Sequence, residues 1–149
     1  MTAGYSGTPL AKKLGIKEGH TVAVLHAPDG FEATLATTLP HPVDVRTRAA
    51  GTADVIVSFH TRRSHLEQRV GALVKVLDVD GGLWIAWPKR ASGVPTDITE
   101  DTVREVFLPR GLVDNKVCAI DDTWSALRVV WRTELRAERR AGTHRRGSR

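Results

Sequence analysis

The chain has 149 residues, 41% hydrophobic and 26% charged, the balance of a folded domain with an ordinary core. No stretch approaches the roughly 18 apolar residues of a membrane span, no charged-then-apolar leader opens the chain, and a single cysteine, Cys118, excludes an internal disulfide framework, so the expectation is a cytoplasmic protein. The net charge of +5 belongs to one end: residues 132–149 carry seven Arg against two Glu, whereas residues 1–131 balance fifteen cations with fifteen acids. The expected organisation is one α/β domain over 1–132 and a basic, disordered tail over 133–149, with no basic face on the domain itself.

A short helix is expected first, with Thr8 as its cap, Pro9 in its first turn and Gly15 as its left-handed stop. TVAVLH (21–26) reads as a central apolar strand. It runs through Ala27-Pro28 into a helix that Asp29 and Glu32 would open as a capping box, with Phe31 and Leu35 facing inward. PVDVRTR (42–48) is half polar and reads as a strand near the sheet edge.

The central unit follows. ADVIVSFH (53–60) is a nearly continuous β-branched run, as in a strand covered on both faces. SHLEQRVGALVKVLD (64–78) is amphipathic, with Leu66, Val70, Leu73 and Leu77 on one face. Ser64 and Glu67 make a capping-box pair at its start, and Gly71 inside it points to close packing. After Gly81-Gly82, LWIAWP (83–88) is another strand, and ASGVPTD (91–97) is an exposed loop suited to a lid or recognition role. Thr99 caps an acidic-started helix with Ile98 and Val103 as its staple. NKVCAI and SALRVVWR are then strands so closely linked that they must be antiparallel neighbours.

This order predicts a Rossmann-like three-layer α/β sandwich, its sheet mostly parallel with a C-terminal antiparallel strand pair. In such sheets ligands sit outside the carboxyl ends of the strands. The candidate binding residues are the polar and basic groups expected there: His26 and Asp29 after one strand, His60, Arg62, Arg63 and Ser64 after the next, and Trp87, Lys89 and Arg90 after the third. Free amides at a helix start, beside Arg62 and Arg63, suit an anion. Asp121 and Asp122 read as turn formers and Cys118 as a small buried hydrophobe. The six His lack metal spacing, and there is no nucleophile elbow or phosphate-binding glycine loop, so no catalytic residue, metal or cofactor is expected.

GYSGTPLAKKLGIKEG, together with GLWIAWPKRASGVPTDITEDTVREVFLPRGLVDNKVCAIDDTWSALRVVWR, resembles a family of small bacterial proteins grouped only as a domain of unknown function, over about residues 4–132. That resemblance implies no particular reaction. The element order also resembles a shortened class I methyltransferase, one strand–helix unit short. Where that family has a glycine-rich turn this chain has His26–Gly30, and where it ends its second strand in an acid this chain has Arg46. The combined expectation is a non-catalytic binding or regulatory module of degenerate methyltransferase-like fold. It would recognise an anionic small molecule or a protein partner, and no membrane. The alternatives are a diverged small-molecule transferase with His60 or His26 as base, and nucleic-acid association through the Arg-rich tail. The oligomeric state is open.

Overall fold

The computed structural model describes residues 8–147; the GYSG of the opening motif lies outside the described residues. Six strands form one sheet in the order β2-β1-β3-β4-β6-β5, with β1 at Thr21–Leu25, β2 at Asp44–Arg46, β3 at Ala53–Phe59, β4 at Leu77–Pro88, β5 at Leu112–Ala119 and β6 at Trp124–Trp131. The β2-β1-β3-β4 half is parallel. β6 runs antiparallel to both neighbours, as the short Ile120–Thr123 link requires. β2, half polar in sequence, is an edge strand of three residues.

Strand alternation divides the apolar residues between two covered faces. On one face Val22, Val24, Val55 and Val57 meet α1 (Leu10–Lys13) and α2 (Phe31–Ala36) through Leu10, Leu14, Phe31 and Leu35. On the other, Ala23, Leu25, Ile56, Leu83 and Ile85 meet α3 (Arg63–Val76) and α4 (Glu100–Phe107) through Leu66, Val70, Leu73, Val103 and Phe107. The expected stripe of α3 is therefore the buried one, although its last member, Leu77, already belongs to β4. Trp84 is buried, and its indole N–H donates to the Leu14 carbonyl at 3.0 Å, pinning the end of α1 to the sheet.

Helix starts differ most from expectation. Thr99 does cap α4, accepting from the Thr102 amide, and Thr102 answers by accepting from the Thr99 amide. At the other three expected starts the N-cap position falls on a different residue. α1 begins after Pro9, α2 after Gly30 in the left-handed region at φ 86, and α3 after Arg62, none with a side-chain cap of its own. Gly15 at φ 77 ends α1 as expected. Gly71 is not a close-packing site, because a Cβ there would meet nothing within 4 Å. α5 (Thr133–Gly147) is helical past Gly142; Leu135 packs on the core and Arg139 lies 3.7 Å above the Trp131 ring.

Candidate functional site

β1 sends its chain through α2 on one face, and β3 sends its chain through α3 on the other. The carboxyl ends of these adjacent strands therefore frame the crevice where open α/β sheets bind ligands. Alternation along β3 turns Ile56, Ser58 and His60 toward α3, and Ser58 and His60 are 0% and 2% exposed. His26 leaves β1 at φ 58, a left-handed turn rarely adopted outside glycine. His65 comes down from the first turn of α3.

Three imidazoles thus meet in this crevice. The Ser58 hydroxyl lies 2.7 Å from Nε2 of His60, and Nδ1 of His60 lies 2.9 Å from Nδ1 of His65. The His26 ring centroid is 4.7 Å from that of His65 and 5.6 Å from that of His60. Two facing Nδ1 atoms hold one hydrogen between them, so the pair is bonded in one of two tautomeric directions. Burial, then His65, His26 and Arg69, push His60 down to about 3. Burial, His65 and Arg69 also lower His26. The three rings form an aromatic plug in which buried His60 is held neutral, hydrogen-bonded to Ser58 and His65. Arg69, one turn beyond His65, stands beside it with a buried Nε that has no hydrogen-bond partner.

Around the plug the rim carries three hollows. One, of about 500 Å³, is lined by Trp87, Lys89, Arg90, Thr96, Thr99 and Ser125 among others. A second, of about 560 Å³, is lined by Thr61, Arg62 and Asp97 and shares Val94, Pro95 and Thr96 with the first. The 91–97 loop is thus a common wall between them. It is tied down at two points. The Thr96 hydroxyl donates to the Thr61 carbonyl at 2.8 Å, and the Asp97 carboxylate accepts from the Arg63 amide at 2.7 Å. A third hollow, of about 360 Å³, holds Asp29 with Phe31, Asp121 and Trp124.

The expected residues therefore share one edge of the sheet but not one pocket. His26 and His60 meet in the crevice, Lys89, Arg90 and Trp87 line one hollow, Arg62 another, and Asp29 the third. Arg63 turns away, its guanidinium holding Glu67 at 3.2 Å and Glu105 at 2.6 Å on the outer surface. Ser64 is exposed, and the α3 amide expected for an anion is taken by Asp97. Among the described residues Arg62, Lys89 and Arg90 are in no ion pair. Asp121 is a turn former, accepting from the Thr123 and Trp124 amides. Ser58, Arg69 and Asp97 are the site residues that sequence reasoning passed over. Strand parity from His60 back to Ser58 was the one available signal.

Neither a known family model nor a curated protein matches the sequence. Solved structures do match. A SAM-dependent methyltransferase from Aquifex aeolicus is 16% identical with a TM-score of 0.62, covering 80% of this chain and 86% of that one. A putative type 11 methyltransferase from Sulfolobus solfataricus is 13% identical with a TM-score of 0.60, covering 83% and 90%. Aeropyrum pernix fibrillarin, solved with S-adenosyl-L-methionine, is 15% identical with a TM-score of 0.55, covering 85% and 70%. The fold is methyltransferase-like. Identity this low extends to the fold and no further. No described helix is long and apolar enough to cross a membrane.

Proposed function

We propose that this protein is a binding module built on a methyltransferase-like sheet, recognising an anionic small molecule at the rim around the 91–97 loop. The observation that carries this reading is that Arg62, Lys89 and Arg90 have no acid partner and line two hollows with one wall in common. Unpaired cations above half-apolar concavities are the usual equipment for orienting a carboxylate or phosphate. Trp87 gives the first hollow a flat apolar floor for the rest of the ligand.

A methyl donor of the kind named for the fibrillarin structure fits the residues poorly. The β1–α2 turn offers Ala27 and Pro28, and proline has no amide to donate. Arg46 ends β2 where an acid would hold ribose hydroxyls, and its guanidinium is engaged with Asp44 and the Ala50 carbonyl. The crevice itself is filled by imidazoles, and residues 47–52 join β2 to β3 without a helix.

The test is thermal shift against nucleotides, di- and tricarboxylates and S-adenosylmethionine, on the native chain and on Arg62→Ala, Lys89→Ala and Arg90→Ala. A ligand at a hundredfold excess over its Kd stabilises by about 2.7 kcal/mol. Stabilisation by an anionic compound that at least one of the three variants loses is the expected result. Stabilisation by S-adenosylmethionine alone would favour the transferase reading, and no stabilisation by any anion would contradict the proposal.

A further inference from the structure

The end of the sheet away from the rim carries cations of its own. Strand parity puts Arg128 of β6 on the face away from α3, since Leu127 and Val129 join the α3 side of the core. Its guanidinium lies on the backbone of β4, where a Cβ at Gly82 would collide with it. Its cross-strand neighbour on β5 is Lys116, a like charge directly opposite, which costs stability unless something neutralises it. Burial, and then the charge of Arg136, push the Arg128 pKa down. Among the described residues the side chains of Arg128 and Lys116 have no hydrogen bond or ion pair, and Arg136 donates to the Trp131 carbonyl but meets no acid.

α5 adds charge of the same sign, and it is docked on the domain. Leu135 packs on the core, Arg139 lies above Trp131, and Arg140 pairs with Asp80 near the start of β4. Arg132, Arg136 and Arg140 recur every four residues, a like-charge ladder along one side of the helix. Glu134 holds Arg132, while Glu138, two residues from Arg136, does not face it. The sequence continues with Arg145, Arg146 and Arg149. Up to Ala141 the exposed apolar residues of α5 are two alanines, Ala137 and Ala141. This surface therefore has neither the apolar face of a membrane-lying helix nor the apolar centre of a protein interface.

We propose that Lys116, Arg128 and Arg136 form, with the rest of α5, a binding face for the phosphate backbone of a nucleic acid. Guanidinium forks match phosphate oxygens two at a time, and a phosphate between Arg128 and Arg136 neutralises charges that the fold sets against each other. Trp84 and Trp131 at this end are buried and offer no platform for stacking bases, so binding is indifferent to sequence. The face is separate from the anion rim, and neither depends on the other.

Fluorescence anisotropy of a labelled mixed-sequence duplex of about 20 base pairs, titrated with the full chain between roughly 50 and 200 mM salt, tests it. The expected result is binding whose logarithm falls linearly with the logarithm of salt, equal for a second duplex of unrelated sequence. Arg128→Gln and Arg136→Gln should each weaken binding several-fold and reduce the salt slope by about one. Near-UV circular dichroism checks that each variant is folded; if Arg128→Gln is not, Lys116→Gln, exposed on β5, carries the test in its place. No binding at the lowest salt, or binding and slope unchanged in these variants, would overturn the face, whatever the residues after Gly142 contribute. So would a loss in Lys89→Ala with Arg128→Gln unaffected, which moves the nucleic acid to the rim. Competition by polyglutamate as strong as by unlabelled duplex at equal charge would point to an acidic protein and overturn it too.

Discussion

His60 is buried and held neutral, which ties the stability of the fold to pH. The unfolded chain takes up its proton below about 6.5, while the folded chain refuses it until about 3. Its contribution to stability is therefore complete above 6.5 and is lost as the pH falls from 6.5 toward 3. At about 1.4 kcal/mol per pH unit, that loss is on the order of a few kcal/mol. Urea unfolding across this range measures it, and His60→Gln should lower the slope of stability against pH by about one proton. Gly71 makes the opposite case. It lies inside α3 with open space around its missing Cβ, so Gly71→Ala should stabilise by roughly 1 kcal/mol in the same assay. The sequence suggested close packing there because a helical glycine needs a reason. The structure supplies none.

At the scale of elements, helix initiation was the least legible feature. Ser64 and Glu67 have capping-box spacing, yet α3 starts one residue earlier and takes its cap from Asp97, 34 residues further along the chain. Local pattern cannot reveal a partner that only the tertiary fold brings near. Asp97→Ala should cost about 1 kcal/mol, the typical worth of a cap, and loosen the 91–97 loop; denaturant unfolding and exchange of the Arg63 amide would measure the two effects. The strands were far more readable. Their β-branched runs, and the shortness of the link before β6, dictated both burial and direction. The imidazole cluster lay between these cases. Parity placed His60 under α3, but no pattern in the sequence fixes how a left-handed His26 meets His65.

For the whole molecule, the two-faced core and the antiparallel β5–β6 pair follow from alternation and connection length, and the likeness to methyltransferase structures bears out the α/β architecture. What the fold does with its carboxyl edge is set by a handful of side chains. Imidazoles occupy the central crevice, and unpaired cations surround a loop at its flank. The central claim is that this flank binds an anion. Chemical-shift mapping of the isotopically labelled chain, titrated with the most stabilising anion of the panel at pH 7.5, tests it most directly. Saturable shifts confined to residues 61–63 and 87–99, reduced in Lys89→Ala, are the expected result. Shifts confined to the Arg-rich segment from 133 onward, or clustered at the β1–α2 turn with S-adenosylmethionine alone, would contradict it.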